Sequence, residues 1–215
     1  MATDLELRER ILQHVREEFL ARGFSKVTVD EIASELGISK KTLYALYPSK
    51  EELLRASLHA MMQSAGQELD RISASDKPFV EKITQALVQM SRYVHRLRKE
   101  SIADFQRNVP SLWRELDRFR REHIVGKLTA MIAQARSEKI FRPDVNEQVL
   151  LQMFVSSIQD VLNPEILTRH SFSLEEGARS IFRIIFEGAL SDSARKEFHL
   201  LDQPAALLDN DQGIS

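Results

Sequence analysis

Between Gly37 and Lys50 the chain carries three lysines, Lys40, Lys41 and Lys50, two of its three tyrosines, Tyr44 and Tyr47, and no acid. The preceding segment, Met1 to Leu36, holds five basic residues against eight acidic ones, so the change of sign is local. Ammonium groups neutralise phosphate. The hydroxyls of Ser39 and Thr42 and the two phenols can bond phosphate oxygens or lie against base edges, and that mixture suits double-stranded DNA. With a net charge of −2, the whole molecule exerts no general attraction on a polyanion, and the case rests on this window. The plainer reading of Lys40 and Lys41 is a solvated helix face. Their framing by Gly37, Leu43, Tyr44 and Lys50 favours contact with DNA.

Other chemistries find little support. Without cysteine the chain offers no disulfide, thiolate nucleophile or cysteine-ligated metal, an absence that fits a reducing, cytoplasmic compartment. The six histidines, His14, His59, His95, His123, His170 and His199, are scattered singly, with no His-x-x-x-His pair, and no glycine-rich loop cradles a phosphate. No catalytic site, metal or cofactor is therefore expected. A helical enzyme or interaction domain survives as an alternative only through groups that converge from distant positions. No apolar run approaches the roughly eighteen residues of a membrane span, so no membrane partner is expected. Asp4, Glu6 and Glu9 stand where an export signal would be basic and then apolar.

The elements that must position the basic window are helices. Seven glycines and six prolines in 215 residues are too few to punctuate an all-β fold, and apolar residues recur at spacings of three and four nearly throughout. The fold class is all-α. Leu5, Ile11, Val15 and Phe19 mark a first helix, with Thr3 and Glu6 as a capping box and Gly23 as its stop. Thr28-x-x-Glu31 opens a second helix that ends at Gly37, and Ser49-x-x-Glu52 opens a long one to about Ile72. Between them only a helix of about two turns fits, with Ser39 as its N-cap; the orphan N–H groups there suit phosphate. Val29 to Pro48 fills a helix-turn-helix template. Ile32, Leu36, Leu43 and Leu46 face inward, Ala33 sits at the closest approach of the helices, and Gly37 makes the left-handed turn.

The run from Gly37 to Leu53, Gly-Ile-Ser-Lys-Lys-Thr-Leu-Tyr-Ala-Leu-Tyr-Pro-Ser-Lys-Glu-Glu-Leu, closely resembles the signature of the TetR (tetracycline-repressor-like) family. Gly23-Phe24-x-x-Val27-Thr28-Val29-x-x-Ile32-Ala33 resembles the same family's lead-in. The resemblance is specific over roughly Ile11 to Leu54. It implies that Thr28 bonds a phosphate, that Ser39, Lys40 and Thr42 contact backbone and base edges, and that Tyr44 lies against the backbone or a thymine methyl. It also implies that Lys50 holds a flanking phosphate. Lys41 stands where the family often has a small residue, within reach of a guanine edge. Ala45 and Leu46 replace frequent Tyr and His, and Tyr47 replaces a common Phe, its ring structural and its hydroxyl near the DNA backbone. On this resemblance, residues 1–48 form the DNA-binding head. Residues 49–215 form a larger helical bundle for ligand binding and dimerisation, with 209–215 a frayed tail.

In that larger region, Tyr93 shares a stripe with Met90, and His123 shares a face with Phe119. A polar group on an inward face is either a satisfied core residue or the anchor of a mostly apolar pocket. Phe105, Trp113, Phe119 and Met153 are equally open between core and pocket wall. The stretches 149–162 and 177–190 are apolar nearly all round, as Phe154, Ile158, Ile181 and Ile185 illustrate, so each must be covered on more than one side. They are either the centre of one subunit or half of an intersubunit four-helix bundle, and the resemblance favours the bundle. Asp144-x-x-Glu147 is expected to cap the first of these helices, Pro164 to close it, and Ser173-x-x-Glu176 to cap the second. The function expected is that of a ligand-responsive repressor that binds a near-palindromic operator as a homodimer and is released by an unidentified small molecule. An activator, or a regulator without an effector, is the alternative within the same fold.

Overall fold

Apolar residues four apart bury one side of the first helix, α1 (Asp4–Arg22): Ile11, Val15 and Phe19 are each wholly inaccessible to solvent. The computed structural model describes residues 4–94, 97–161, 166 and 169–201. Within them every regular element is helical apart from an isolated antiparallel bridge between Phe141 and Leu190. Thr3, proposed as the cap of α1, lies outside the described residues, as do Pro164 and the tail 209–215.

The helices that follow are α2 (Val29–Leu36), α3 (Lys40–Leu46), α4 (Lys50–Ala74), α5 (Phe79–Val94), α6 (Lys99–Asn108) and α7 (Pro110–Phe119). After a π turn at Arg120–Val125 come α8 (Gly126–Ser137), α9 (Glu147–Val161), α10 (Leu174–Ala189) and α11 (Asp192–Leu201). The chain divides into two compact units, one drawn from Met1–Gly66 and His95–Arg120, the other from Gln67–Val94 and Arg121–Ser215. This partition by packing is distinct from a partition by role at residue 48.

In the first unit α1 packs on α2 and α6, α2 on α3, and α6 on α7. Ile32 and Leu43 fill the angle between α2 and α3, and Ala33, also buried, keeps that approach close. The buried Ser57 hydroxyl donates to the Leu12 carbonyl at 2.9 Å, tying α4 to α1.

In the second unit α9 packs along α10, and α5 meets α8, α10 and α11. The core is aromatic: Phe79 meets Phe141 edge-on at 5.3 Å, Phe154 meets Phe186 at 5.6 Å, and Phe182 lies 4.7 Å from Phe186. Lys82 is buried at its edge, where its ammonium donates to the Ser73 carbonyl at 3.0 Å and to Gln134 Oε1 at 3.2 Å. A cation there complements the negative end of α4.

One local expectation is corrected. The cap of α9 is Asn146, whose Oδ1 accepts the N–H groups of Gln148 and Val149 at 3.0 and 3.2 Å. Asp144 is instead drawn to the Arg142 guanidinium, 3.0 Å from Nε and 2.5 Å from Nη2. A π turn also inserts extra chain between α7 and α8.

Candidate nucleic-acid interface

Local chemistry fixes the two helices that would meet DNA. Thr28 caps α2 with a complete capping box: its hydroxyl oxygen accepts the Glu31 N–H at 3.2 Å, and Glu31 Oε2 accepts the Thr28 N–H at 2.8 Å. Gly37 ends α2 at φ +68°, and the Ile38 N–H returns to the Ala33 carbonyl at 3.0 Å. A Cβ on Gly37 would meet nothing within 4 Å, so the left-handed backbone, not space, calls for glycine. Ser39 then caps α3 by accepting the Thr42 N–H at 3.0 Å, and the two hydroxyls are 2.8 Å apart.

This frame orients α3. Leu43 and Tyr47 are buried, Leu46 is half-buried, and Ser39, Lys40, Lys41, Thr42, Tyr44 and Ala45 are exposed on one short helix and its cap. Tyr44 is 40% accessible, so much of its ring faces solvent. Tyr47 differs from the other proposed contacts in that its ring belongs to the packing of the unit.

The cations are held differently. Lys40 Nζ lies 2.8 Å from Asp30 Oδ1 on α2 and 6.0 Å from the centre of the Tyr44 ring. The hydrogen bond to Asp30 raises its pKa above the usual lysine value. Lys50 sits with its ammonium 4.4 Å from the Phe24 ring centre and 5.9 Å from that of Phe19. Burial pushes its pKa down, against the pull of Asp104 and Glu31. Lys41 is exposed and makes no ion pair among the described residues.

Behind the window, Arg22 Nη1 reaches Glu18 at 3.1 Å and Nη2 reaches Glu31 at 3.0 Å, bracing α1 against α2. That bond, followed by the Thr28 backbone and hydroxyl, holds the Glu31 carboxyl down at about 2. Thr28 is exposed, and its hydroxyl already donates to Glu31 at 2.8 Å. Asp30, Phe24 and Arg22 escape sequence reasoning because their partners are fixed by how α1, α2 and α4 meet.

Residues 11–57 match the family model described as bacterial regulatory proteins, tetR family. That match, with the relatives that follow, supports a transcriptional regulator of the tetR family. The regulator is 29% identical over 185 residues to the uncharacterized HTH-type transcriptional regulator YvaF of Bacillus subtilis (strain 168), spanning 86% of this chain and 96% of that one. Its fold is similar to that of FadR from Bacillus subtilis, solved with stearoyl-CoA, at a TM-score of 0.60 and 15% identity over 84% of this chain and 98% of FadR. It is also similar to the ketosteroid transcriptional regulator KstR2 of Mycobacterium tuberculosis, at a TM-score of 0.59 and 16% identity over 89% and 98% of the two chains. At these identities the two structures establish the fold alone.

The residues proposed for an effector are spread over both units of the regulator. Phe105 is buried and Trp113 and Phe119 half-buried in the first, where the Arg120 guanidinium lies 5.5 Å from the Trp113 ring. In the second, Met90 and Tyr93 are half-buried on α5, His123 is exposed on the π turn, and Met153 is exposed on α9. Of the residues proposed for dimer contact, Phe154 is buried in the aromatic core, whereas Ile158, Ile181 and Ile185 are partly covered at its edge. The exposed apolar side chains of α9 and α10 are Val149, Met153 and Ile184. Among the described residues no group of three or more acids or histidines gathers as a metal site, and no helix is long and apolar enough to cross a membrane.

Proposed function

We propose that this regulator is a cytoplasmic, ligand-responsive repressor that binds a near-palindromic duplex as a homodimer and is released by a small molecule. The observation that carries the reading is the exposed face of α3, where Lys40, Lys41, Thr42 and Tyr44 project from a helix that Leu43 anchors below. Each good bidentate contact to a base edge discriminates by about 1–3 kcal/mol, too little for one short helix to find an operator alone. A two-fold dimer presents two such helices to major grooves about 34–36 Å apart, or a multiple of that. In this reading residues 1–48 read DNA, with Thr28 and Lys50 on flanking phosphates and Tyr47 supporting the helix from within.

Residues 49–215 then carry dimerisation and the response to the effector. The two packed helices α9 and α10 offer the dimer face, through Val149, Met153 and Ile184 beside the partly covered Ile158, Ile181 and Ile185. The effector is an unidentified small molecule; Met90, Tyr93, His123 and Met153 are the candidates for it in the second unit, and Phe105, Trp113 and Phe119 those in the first. Two proteins of this fold set the precedent, one solved with stearoyl-CoA and one described as a ketosteroid regulator. Release requires that effector and DNA favour different arrangements of the protein.

The test is retardation of duplexes tiled from the DNA upstream of the regulator's own gene, followed by a metabolite panel added to the retarded complex. Retention of one tile and its release by one compound are the expected results, with the preference for that tile over the others narrowed in a Lys41→Ala variant. Failure to retain any tile in dilute buffer would end the reading.

A further inference from the structure

The first residue of the exposed helix is not free to meet DNA as it stands. Lys40 Nζ is 2.8 Å from Asp30 Oδ1 and 3.0 Å from Asp30 Oδ2, a bridge from the first turn of α2 to the first turn of α3. Both side chains are more than half exposed, so water and ions reach the pair and it opens readily. Asp30 is the acid nearest the basic window in sequence on its N-terminal side apart from Glu31 and Glu35, which are engaged with Arg22 and His14. Its carboxylate therefore has Lys40 as its ionic partner, and Lys40 has Asp30.

We infer that Asp30 is a positioning residue for specificity: it holds Lys40 out of indiscriminate phosphate contact and so sets the ratio of operator to bulk-DNA affinity. The inference rests on the proposed reading that α3 enters the major groove. Binding to bulk DNA is driven by release of counterions, one for each phosphate neutralised by a protein cation. A lysine already balanced by a carboxylate brings no net charge to a phosphate, so it releases no counterion unless the pair opens. When it opens, the bared carboxylate is left beside the DNA backbone and repels it. At an operator, base-edge contacts from Lys41, Thr42 and Tyr44 fix the register, and Lys40 remains bridged. On bulk DNA the register is not fixed, and any unpaired cation within reach adds to binding. Neutralising Asp30 therefore strengthens bulk binding more than operator binding.

The experiment uses the full chain, the duplex retained in the retardation assay and a scrambled duplex of equal length and composition, titrated by fluorescence anisotropy over a salt series. Asp30→Asn should tighten binding to the scrambled duplex about three- to ten-fold and steepen its log Kd against log salt slope by about one. Its operator affinity should change less than about two-fold, so the specificity ratio falls. Asp30→Glu, which can rebuild the pair, should restore the parent's ratio, and Asp30→Asn should add nothing in a Lys40→Ala background. In the parent, Lys41→Ala should flatten the scrambled-duplex slope by about one, and Lys40→Ala should hardly move it. An unaltered slope in Asp30→Asn, equal gains on both duplexes, or a gain that persists without Lys40 would each overturn the role given to Asp30. A parent that binds neither duplex would overturn the DNA-reading role of α3 itself, a different failure from a parent that binds normally while Asp30→Asn behaves like it.

Discussion

Asp104, on α6, accepts the Ser25 N–H at 2.9 Å and the Ser25 hydroxyl as well, although the two residues are 79 positions apart. The Phe24 N–H turns to the same carboxylate, and Asn108 Nδ2 donates to its Oδ1 at 2.8 Å. Burial by itself pushes the Asp104 carboxyl up; the bonds from Ser25, Phe24 and Asn108 outweigh it and hold the group below the usual carboxylate range. Gly23 completes the arrangement at φ +88°, and a Cβ there would lie 3.0 Å from Asp104 Oδ2. The bend between α1 and α2 is thus shaped by a carboxylate from α6. The head that presents α3 includes α6 as part of its packing.

Asp104→Ala should accordingly destabilise the first unit by about 1–3 kcal/mol, since it strands the donors of Ser25 and Phe24 against a charged acceptor that is gone. Gly23→Ala should cost about 1–2 kcal/mol from the left-handed backbone, with a further penalty from the contact with Asp104. Urea unfolding followed by circular dichroism reads both. A midpoint unmoved by Asp104→Ala would mean that the bend is held by α1 and α2 alone.

Acid should loosen the same unit through Glu31. Its carboxyl is held at about 2, below the ordinary 4.5, first by the Arg22 hydrogen bond and then by the Thr28 N–H and hydroxyl. A depressed carboxyl stabilises the fold fully above its unfolded value and loses that contribution as pH falls from about 4.5 through about 2. Helix content followed by circular dichroism between those limits should fall less steeply in Glu31→Gln than in the parent, from a lower starting stability. Parallel acid profiles for the two proteins would remove Glu31 from the account.

Much of this arrangement was legible beforehand because it is written in short-range chemistry. Gly37, the Thr28–Glu31 box, the Ser39 cap and the Ser173–Glu176 box each pair residues three or four apart, and the structure realises them with the hydrogen bonds such spacing allows. What escaped was tertiary. No periodicity announces α6: its N-cap is Arg98, which makes no side-chain capping bond, and its place is set by Ser25 and by packing on α1. Phe154 and Ile184 belong to equally apolar stretches, yet one is core and the other is 72% exposed. Composition cannot tell which side of an all-round apolar helix its own subunit covers.

Lys41 and Lys50 should separate base reading from phosphate binding. Lys41 projects from the exposed face of α3, so Lys41→Ala should relax preference at particular base pairs while leaving others intact. Lys50 is held over Phe24 at the start of α4, so Lys50→Ala should weaken all sequences alike and flatten the salt slope by about one. Affinities for a set of singly substituted operators, each measured at several salt concentrations, distinguish the two patterns. Identical profiles for both variants would place the reading helix elsewhere.

The dimer face can be tested at a residue whose own subunit does not need it. Ile184 is 72% exposed on α10, and the next turn carries Gly188, where an added Cβ would meet nothing within 4 Å. A partner helix can approach closely there, and an isoleucine left in water invites such cover. Ile184→Glu should therefore give monomers in sedimentation at micromolar concentration, with unchanged helix content and unfolding midpoint. Phe154→Glu should behave differently: it places a charge within the aromatic core and should unfold the second unit instead of merely dissociating it. Because a monomer reads one half-site, Ile184→Glu should also lose most of its operator affinity while keeping its weak binding to bulk DNA. A dimer that survives Ile184→Glu would move the interface away from the exposed face of α10.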